Sequence, residues 1–310
     1  MGFSYSPLRF PGGKHKYWRY IDTIIKKDGN INTLVEPFAG GCGLGLALLK
    51  NKIINKLYIN DKDVFIHALW DQILNDPNEL IYKIKHIVPS VDNFIKYKRR
   101  LSDVQNGIEF PNVEIAFSFF YINRTSRSGI VKGGPIGGKY QSGEWKINAR
   151  WNEMALVKKI NSLNQLRDNI QLFNLDYKLF INKMIDDYKT DFGSLMFFID
   201  PPYYKIGKKL YLQFFIENDH IELAELLKKI NYSHKWVLTY DESEFIKDLY
   251  KFSKRNEGGI SYTIGGRNTK KELIYFSDKL RSKPGKHGFI EIKEKRRHRQ
   301  NHEPRAQYVI

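Results

Sequence analysis

An aspartate followed by two prolines and two tyrosines, "DPPYY" at residues 200–204, is the stretch whose residue types most suggest chemistry. The hydrophobic run "LMFFI" before it predicts a buried strand that ends at Asp200. The prolines fix φ and lack N–H donors, so the local carbonyls point in set directions. Asp200 and the carbonyl of Pro201 can then accept the two N–H groups of a conjugated amine while Tyr203 stacks on its ring. These two hydrogen bonds favour a pyramidal amine nitrogen, which frees its lone pair to attack an electrophile. A simple strand-ending turn would explain the prolines but not the acid.

A glycine-rich stretch, "LVEPFAGGCGLGLALL" at residues 34–49, is typical of a strand, a tight turn and the start of a helix. Glycines let the backbone approach a ligand closely, and the helix N-terminus faces that ligand. The spacing is neither the dinucleotide pattern nor a P-loop, which argues against a nicotinamide dehydrogenase. An ordinary strand–helix turn is the alternative interpretation.

The next predicted strand, in "KLYIND", also ends at an acid, Asp61. It lies about twenty residues beyond the glycine turn, where an α/β nucleotide fold places a carboxylate on ribose hydroxyls. Exposed acids after strands are common, but the turn and Asp61 together indicate a ribose-bearing cofactor.

Bulk composition narrows the class of protein. The chain has 310 residues with 42% hydrophobic and 14% aromatic content, enough for one large domain or two modest ones. We find neither a long apolar run nor a signal core, and therefore expect no membrane span and a cytoplasmic location. The single cysteine, Cys42, excludes an internal disulfide and a cysteine-rich zinc site, and we expect no metal.

The formal net charge of +17 favours a polyanionic partner such as nucleic acid, although a lysine-rich proteome would have the same effect. Part of the excess is local, in the run "KEKRRHRQ" at residues 293–300. This basic tail could contact DNA phosphates or be a solvated terminus.

The chain divides into blocks. Residues 1–63 have β-α-β spacing, with helices near 16–27 and 43–51, and the α/β pattern resumes in residues 166–280. Between them, residues 64–165 begin with helical periodicity and continue into a region rich in glycine, lysine, arginine and asparagine. We predict an α/β, Rossmann-like domain with a mostly helical insertion, followed by a basic tail at 281–310.

Three stretches in this order resemble the DNA adenine-N6 methyltransferases related to the Dam enzyme, in the alpha group of the D12 class. They are "SPLRFPGGK" (6–14), "EPFAGGCG" (36–43) and "DPPYY" (200–204), and the likeness extends to "DHIELAELL" and "KKELIYF" downstream. The resemblance spans nearly the whole chain and implies S-adenosylmethionine as the cofactor, with a target-recognition domain at residues 64–165. The acid of "DPPY" favours adenine as the target but does not exclude cytosine-N4.

The resemblance also implies roles for residues. The target adenine would be held by the turn Asp200, Pro201, Pro202 and Tyr203. Lys14 is chemically suited to the carboxylate at the methionine end of the cofactor, although a surface charge is the usual role of a lysine. The amine attacks the methyl group directly, so Cys42 is not expected to be a nucleophile. The implied cofactor contacts are Phe10, Gly13, Lys14, Pro37, Phe38, Ala39, Gly40, Gly41, Asp61, Asp176 and Asp200.

Double-stranded DNA is the expected partner, and the target base must flip out of the duplex. In "INRTSRSGIVKGG", Asn123, Arg124 and Arg127 are candidates for reading base edges, although a loop arginine equally often contacts phosphate. Readers of GATC carry a hairpin of the pattern R-Y-N-x-x-G-x-F-N-V-P, whereas this chain has "GIVKGGPIGGKYQSGEWKINARWN" in that place. We therefore do not expect GATC as the recognition site.

Alternatives from the sequence stay open. One is a methyltransferase of RNA or of a protein amide, and another is a DNA-binding protein with an inactive methylase fold. The setting could be restriction-modification with a separately encoded restriction endonuclease, a phage methylase or a solitary enzyme.

Overall fold

The computed structural model describes residues 5–10, 13–189, 191, 193–205, 207, 214–256, 262–263, 269–270 and 272–281. The predicted basic tail therefore lies outside the described residues, except for Arg281.

Helices and strands are mixed at both ends of the chain, and a stretch of helices and loops lies between them. The helices are α1 Trp18–Asp28, α2 Gly43–Lys50, α3 Val64–Asn75, α4 Pro77–His86, α5 Val91–Gln105, α6 Asn112–Thr125, α7 Glu153–Asn164, α8 Tyr177–Asp187, α9 Glu217–Lys229 and α10 Glu244–Leu249. The strands are β1 Thr33–Glu36, β2 Lys56–Asn60, β3 Ile170–Phe173, β4 Leu195–Ile199, β5 Lys235–Asp241, β6 Lys254–Asn256, β7 Tyr262–Thr263, β8 Thr269–Lys270 and β9 Glu272–Phe276. Short 3-10 helices cover Lys14–Tyr17, Arg127–Gly129, Ile147–Arg150 and Arg167–Asn169.

In the described part of the chain, the main sheet has the strand order β3-β2-β1-β4-β5-β9-β6. The first five of these strands run parallel, and β9 is antiparallel to both of its neighbours. The chain order reverses between β1 and β4, and open α/β sheets bind ligands at the carboxyl ends of the strands beside such a reversal. Strands β7 and β8 form a separate antiparallel pair. The predicted α/β fold class with a helical insertion is confirmed.

The central strands are continuous hydrophobic runs because both faces of the sheet are covered. Every residue of β4 and of β5 is buried. Along β4, Met196 and Phe198 pack into one hydrophobic cluster. Leu195, Phe197 and Ile199 pack into a second cluster on the other face.

The helical stretch between β2 and β3 contains α3 to α7. Its first helix packs directly on the sheet domain, since Phe65, Leu69 and Trp70 share a hydrophobic cluster with Leu57 of β2. Asp63 begins this helix as its N-cap, accepting a hydrogen bond from the backbone nitrogen of Phe65. The core is thus continuous across the predicted boundary at residues 63 and 64, and the division into domains stays a prediction.

Within the described ranges, the helices are too short or too polar to span a bilayer. The same residues contain no group of three or more histidine, cysteine, aspartate or glutamate side chains placed to hold a metal ion.

Candidate active site

A cavity of about 590 Å³ opens at the carboxyl ends of β1, β2 and β4. It is lined by Phe38 after β1, Asp61 after β2 and Asp200 after β4. All of the residues predicted to bind the cofactor contribute to its wall. Its volume lies within the range of about 300–1,000 Å³ that is usual for small-molecule sites.

The glycine turn after β1 closes tightly on itself. Gly40 and Cys42 have φ angles of 47° and 49°, and the backbone nitrogen of Cys42 donates to the carbonyl of Ala39 at 2.6 Å. A Cβ on Gly41 would lie 2.5 Å from Oγ of Ser6, so a larger residue would displace the N-terminal segment. Burial and the neighbouring Glu36 raise the pKa of the Cys42 thiol, which keeps it protonated.

Asp61 supports the glycine turn and borders the cavity. Its Oδ2 accepts from the backbone nitrogen of Gly40 at 2.9 Å, and its Oδ1 accepts from that of Asp63 at 3.0 Å. Burial, then the charge of Asp63, raise the pKa of Asp61 to about 7. A carboxylate offers about four lone-pair positions, so Asp61 can still accept ligand hydroxyls.

Asn60, which sequence reasoning missed, holds the ends of three strands together. Its Nδ2 donates to the carbonyls of Pro37 and Leu175, both at 3.0 Å, and its Oδ1 accepts from the nitrogen of Leu175 at 2.8 Å. Its own carbonyl accepts from the nitrogen of Ala39 at 2.9 Å. The only signal in the sequence is its place just before Asp61.

Three aromatic rings pack together on the wall of the cavity. The ring centroid of Phe38 lies 5.3 Å from that of Tyr177 and 5.6 Å from that of Phe215. Asp176, just before Tyr177, caps α8 by accepting from the nitrogen of Lys178 at 3.0 Å, and it pairs with Lys62 at 3.1 Å. The three rings form an apolar wall of the cavity, and the carboxylate of Asp176 lies at the edge of that wall.

Asp200 lies at the end of β4 with both carboxylate oxygens in contact with other side chains. Oδ1 accepts from the hydroxyl of Thr239 at 2.7 Å, and Oδ2 lies 2.9 Å from Nζ of Lys14. Burial raises the pKa of this carboxyl group above its usual range, which Lys14 opposes and Glu272 reinforces.

Lys14 is buried between two carboxylates. Besides Asp200, its Nζ lies 3.2 Å from Oε1 of Glu272 and 2.7 Å from the hydroxyl of Tyr203. Glu272 also accepts from the hydroxyls of Tyr17 and Tyr203. The predicted role of Lys14 in holding a ligand carboxylate is therefore revised, because its ammonium is bound by carboxylates of the protein itself. Sequence reasoning missed Glu272, because an acid at the start of a strand next to the sheet edge looks like a surface residue.

The turn after Asp200 differs from its predicted arrangement. The side chain of Tyr203 is only 4% exposed, so in this conformation it presents no open face to a base. Pro202 lines the cavity, whereas Pro201 is buried outside its wall. Asp241 of β5 fixes the next residues by accepting from the nitrogens of Tyr204 and Lys205, each at 3.0 Å.

The candidate base readers fall in three different environments. Asn123 is fully buried, and its amide group bonds to the backbone of Arg9 and Gly129. The prediction that Asn123 reads DNA is wrong for this structure, because a buried, fully bonded amide cannot reach a base edge. Arg124 lines the cavity, and its guanidinium donates to the carbonyl of Arg150. Arg127 is exposed.

Cations crowd the side of the cavity nearest the helical stretch. Burial, then Arg9 and Arg150, lower the pKa of Arg124 to about 10. Burial, then Arg124 and Lys50, lower the pKa of Lys159 to about 8. An anionic group placed here would relieve their mutual repulsion. Arg9 lies within the motif "SPLRFPGGK", but Lys159 has no signal in the sequence.

Two curated proteins and one solved structure are similar to this chain. Type II methyltransferase M.MjaIII of Methanocaldococcus jannaschii is 24% identical over 245 residues, which cover 72% of this chain and 79% of that protein. Modification methylase StsI of Streptococcus sanguinis is 25% identical over 206 residues, which cover 64% of this chain and 28% of that protein. Among solved structures, the rRNA methyltransferase aviRa of Streptomyces viridochromogenes is 10% identical with a TM-score of 0.35, over 87% of this chain and 86% of that one.

A sequence model of one family matches residues 10–264, most of the chain. The match begins at Phe10, beside the cavity, and runs through the glycine turn, Asp61 and the Asp200 turn. The predicted family and activity are confirmed: the chain belongs to the D12 class N6 adenine-specific DNA methyltransferases.

Proposed function

We propose that this chain transfers a methyl group from S-adenosylmethionine to the N6 atom of a flipped-out adenine at a specific site in double-stranded DNA. The observation that carries the proposal is a single cavity bordered by the glycine turn, Asp61 and Asp200. It is continuous from a ribose-binding position to an amine-binding position.

The residues present fit the cofactor. Gly40 and Gly41 border the cavity, and Asp61 retains acceptor positions for ribose hydroxyls. Phe38 and Tyr177 offer an apolar wall for an adenine ring. S-adenosylmethionine supplies a methyl group on a positively charged sulfur, which makes that carbon electrophilic.

The chain activates the amine. We propose that Asp200 accepts one N–H of the target adenine. The turn after it would move so that the carbonyl of Pro201, which lies outside the cavity wall in this conformation, accepts the other N–H and directs the nitrogen lone pair at the methyl carbon. Asp200 is also suited to receive the proton that this amine loses, because burial raises its pKa above the usual range and so makes it a stronger base. In this scheme Lys14 balances the charge of Asp200.

The DNA is held by charge and read by the helical stretch. The net charge of +17 supplies phosphate attraction that does not depend on sequence. We assign target recognition to residues 64–165, with Arg124 and Arg127 as base readers, catalysis to residues 1–63 and 166–280, and a recognition site other than GATC. The relatives are named a type II methyltransferase and a modification methylase, which favours a restriction-modification setting with a separately encoded endonuclease.

The test is methyl incorporation from isotope-labelled S-adenosylmethionine into duplex DNA, with RNA as the competing substrate, followed by sequencing that detects N6-methyladenine. We expect one enriched motif, not GATC. Asp200→Ala should lower the rate by at least about a hundredfold while DNA binding is retained. Asp168→Ala, at a carboxylate that is 89% exposed, is the matched control and should leave the rate unchanged. Labelling of RNA alone would overturn the proposal.

A further inference from the structure

We propose that Glu272 is a positioning residue that retains the ammonium of Lys14 while Asp200 turns to the amine of the target adenine. This inference rests on the proposed function and adds a residue that lies beyond the matched stretch of residues 10–264.

The geometry places one cation between two carboxylates. Nζ of Lys14 lies 2.9 Å from Asp200 and 3.2 Å from Glu272. A small movement of the ammonium therefore changes which carboxylate it pairs with. The cation needs a carboxylate partner here, because an unpaired buried charge is strongly destabilising.

The two carboxylates that contact Lys14 differ in how far they are exposed. The side chain of Asp200 is 24% exposed, while that of Glu272 is 2% exposed. Asp200 is thus the more accessible carboxylate, the one an incoming base can meet. An ammonium bound to Asp200 withdraws negative charge from the acceptor that must grip the amine, so the amine and Lys14 compete for the same carboxylate.

Glu272 is held so that it can keep the ammonium. The hydroxyls of Tyr17 and Tyr203 both donate to it, which fixes the carboxylate on the inner side. In the sheet, Glu272 of β9 pairs directly with Asp241 of β5, the residue that fixes the backbone after Tyr203. The paired residues Glu272 and Asp241 therefore hold the ammonium of Lys14 and the turn after Tyr203, respectively.

The test is Glu272→Gln, which keeps the shape and one of the two acceptor oxygens but removes the charge. Single-turnover methyl transfer should slow by about tenfold or more, while the dissociation constants for cofactor and DNA change by less than about threefold. The acid limb of the pH–rate profile should also move to lower pH by about half a unit or more, because Glu272 helps to raise the pKa of Asp200.

Asp28→Asn is the matched control. Asp28 forms another buried carboxylate–lysine pair, with Lys235 at the opposite end of β5. It should lower thermal stability without slowing transfer or moving the acid limb. A Glu272→Gln rate within about twofold of wild type, or a slower rate with an unmoved acid limb, would overturn the inference. Failure of the wild-type protein to methylate DNA would instead overturn the proposed function.

Discussion

Asn123 of α6 bonds to both backbone groups of Arg9, its Oδ1 lying 2.8 Å from the nitrogen and its Nδ2 lying 2.9 Å from the carbonyl oxygen. The guanidinium of Arg9 in turn donates to the carbonyls of Arg124 and Ser126, at 3.1 and 3.0 Å. The N-terminal segment that carries Phe10 to the cavity is therefore fastened to the end of α6. The wall of the cavity and the helical stretch between β2 and β3 are joined at this contact.

Replacing Asn123 by Ala should destabilise the fold by about 2–4 kcal/mol, because the buried carbonyl of Gly129 and the half-buried backbone groups of Arg9 lose this partner. Urea denaturation measures the change. Asn218→Ala, at an exposed asparagine of α9, is the control and should change stability by less than about 0.5 kcal/mol. Unchanged stability together with lost site discrimination would restore Asn123 as a base reader.

Gly129 lies against the backbone of the same N-terminal segment, at Arg9, and this contact leaves no room for a side chain. A Cβ there would lie 2.1 Å from the carbonyl oxygen of Arg9, and the residue has a φ of +75°. Gly129→Ala should lower the free energy of unfolding by more than about 3 kcal/mol, and chemical denaturation will show it. Gly107→Ala isolates the backbone effect, since φ is +84° but nothing lies within 4 Å of the added Cβ. It should cost only about 1 kcal/mol. Equal losses at the two sites would contradict the contact with Arg9.

Arg124→Ala should weaken discrimination between DNA sites more than it weakens cofactor binding, because Arg124 belongs to the helical stretch and lines the cavity from that side. Discrimination should fall by about 1–3 kcal/mol, measured as the ratio of methylation rates on the preferred duplex and on single-base variants. Arg19→Ala is a suitable control, being an arginine of α1 outside the cavity wall. A uniform loss across all sequences would make Arg124 a phosphate contact instead.

The sequence predicted the sheet domain well because its strands are hydrophobic runs that end at chemically distinctive residues, Asp61 and Asp200. It failed where a role depends on distant packing. Asn123 looked like a loop side chain, but the segment that buries it lies 114 residues away in the chain. Glu272 lies within "KKELIYF", a stretch to which the resemblance assigned no site residue, and only the antiparallel pairing of β9 with β5 brings it to Lys14.

Glu36, buried under the glycine turn, predicts a dependence of stability on pH. Burial raises its pKa from 4.5 to about 7, although the nitrogen of Gly45 and the thiol of Cys42 donate to it. The folded state therefore keeps this proton at a pH where the unfolded chain loses it. Its contribution to stability is fully present below about pH 4.5 and is lost as pH rises to about 7.

Glu36→Gln should remove this dependence while keeping an acceptor for Gly45. Relative to wild type, the variant should gain stability as pH rises from about 5 to about 7, by up to about 1.4 kcal/mol per pH unit, and gain no more above that. Urea denaturation across this range gives the difference directly. A difference that stays constant with pH would mean that Glu36 is already ionised in the folded protein, with the Gly45 and Cys42 donors outweighing burial.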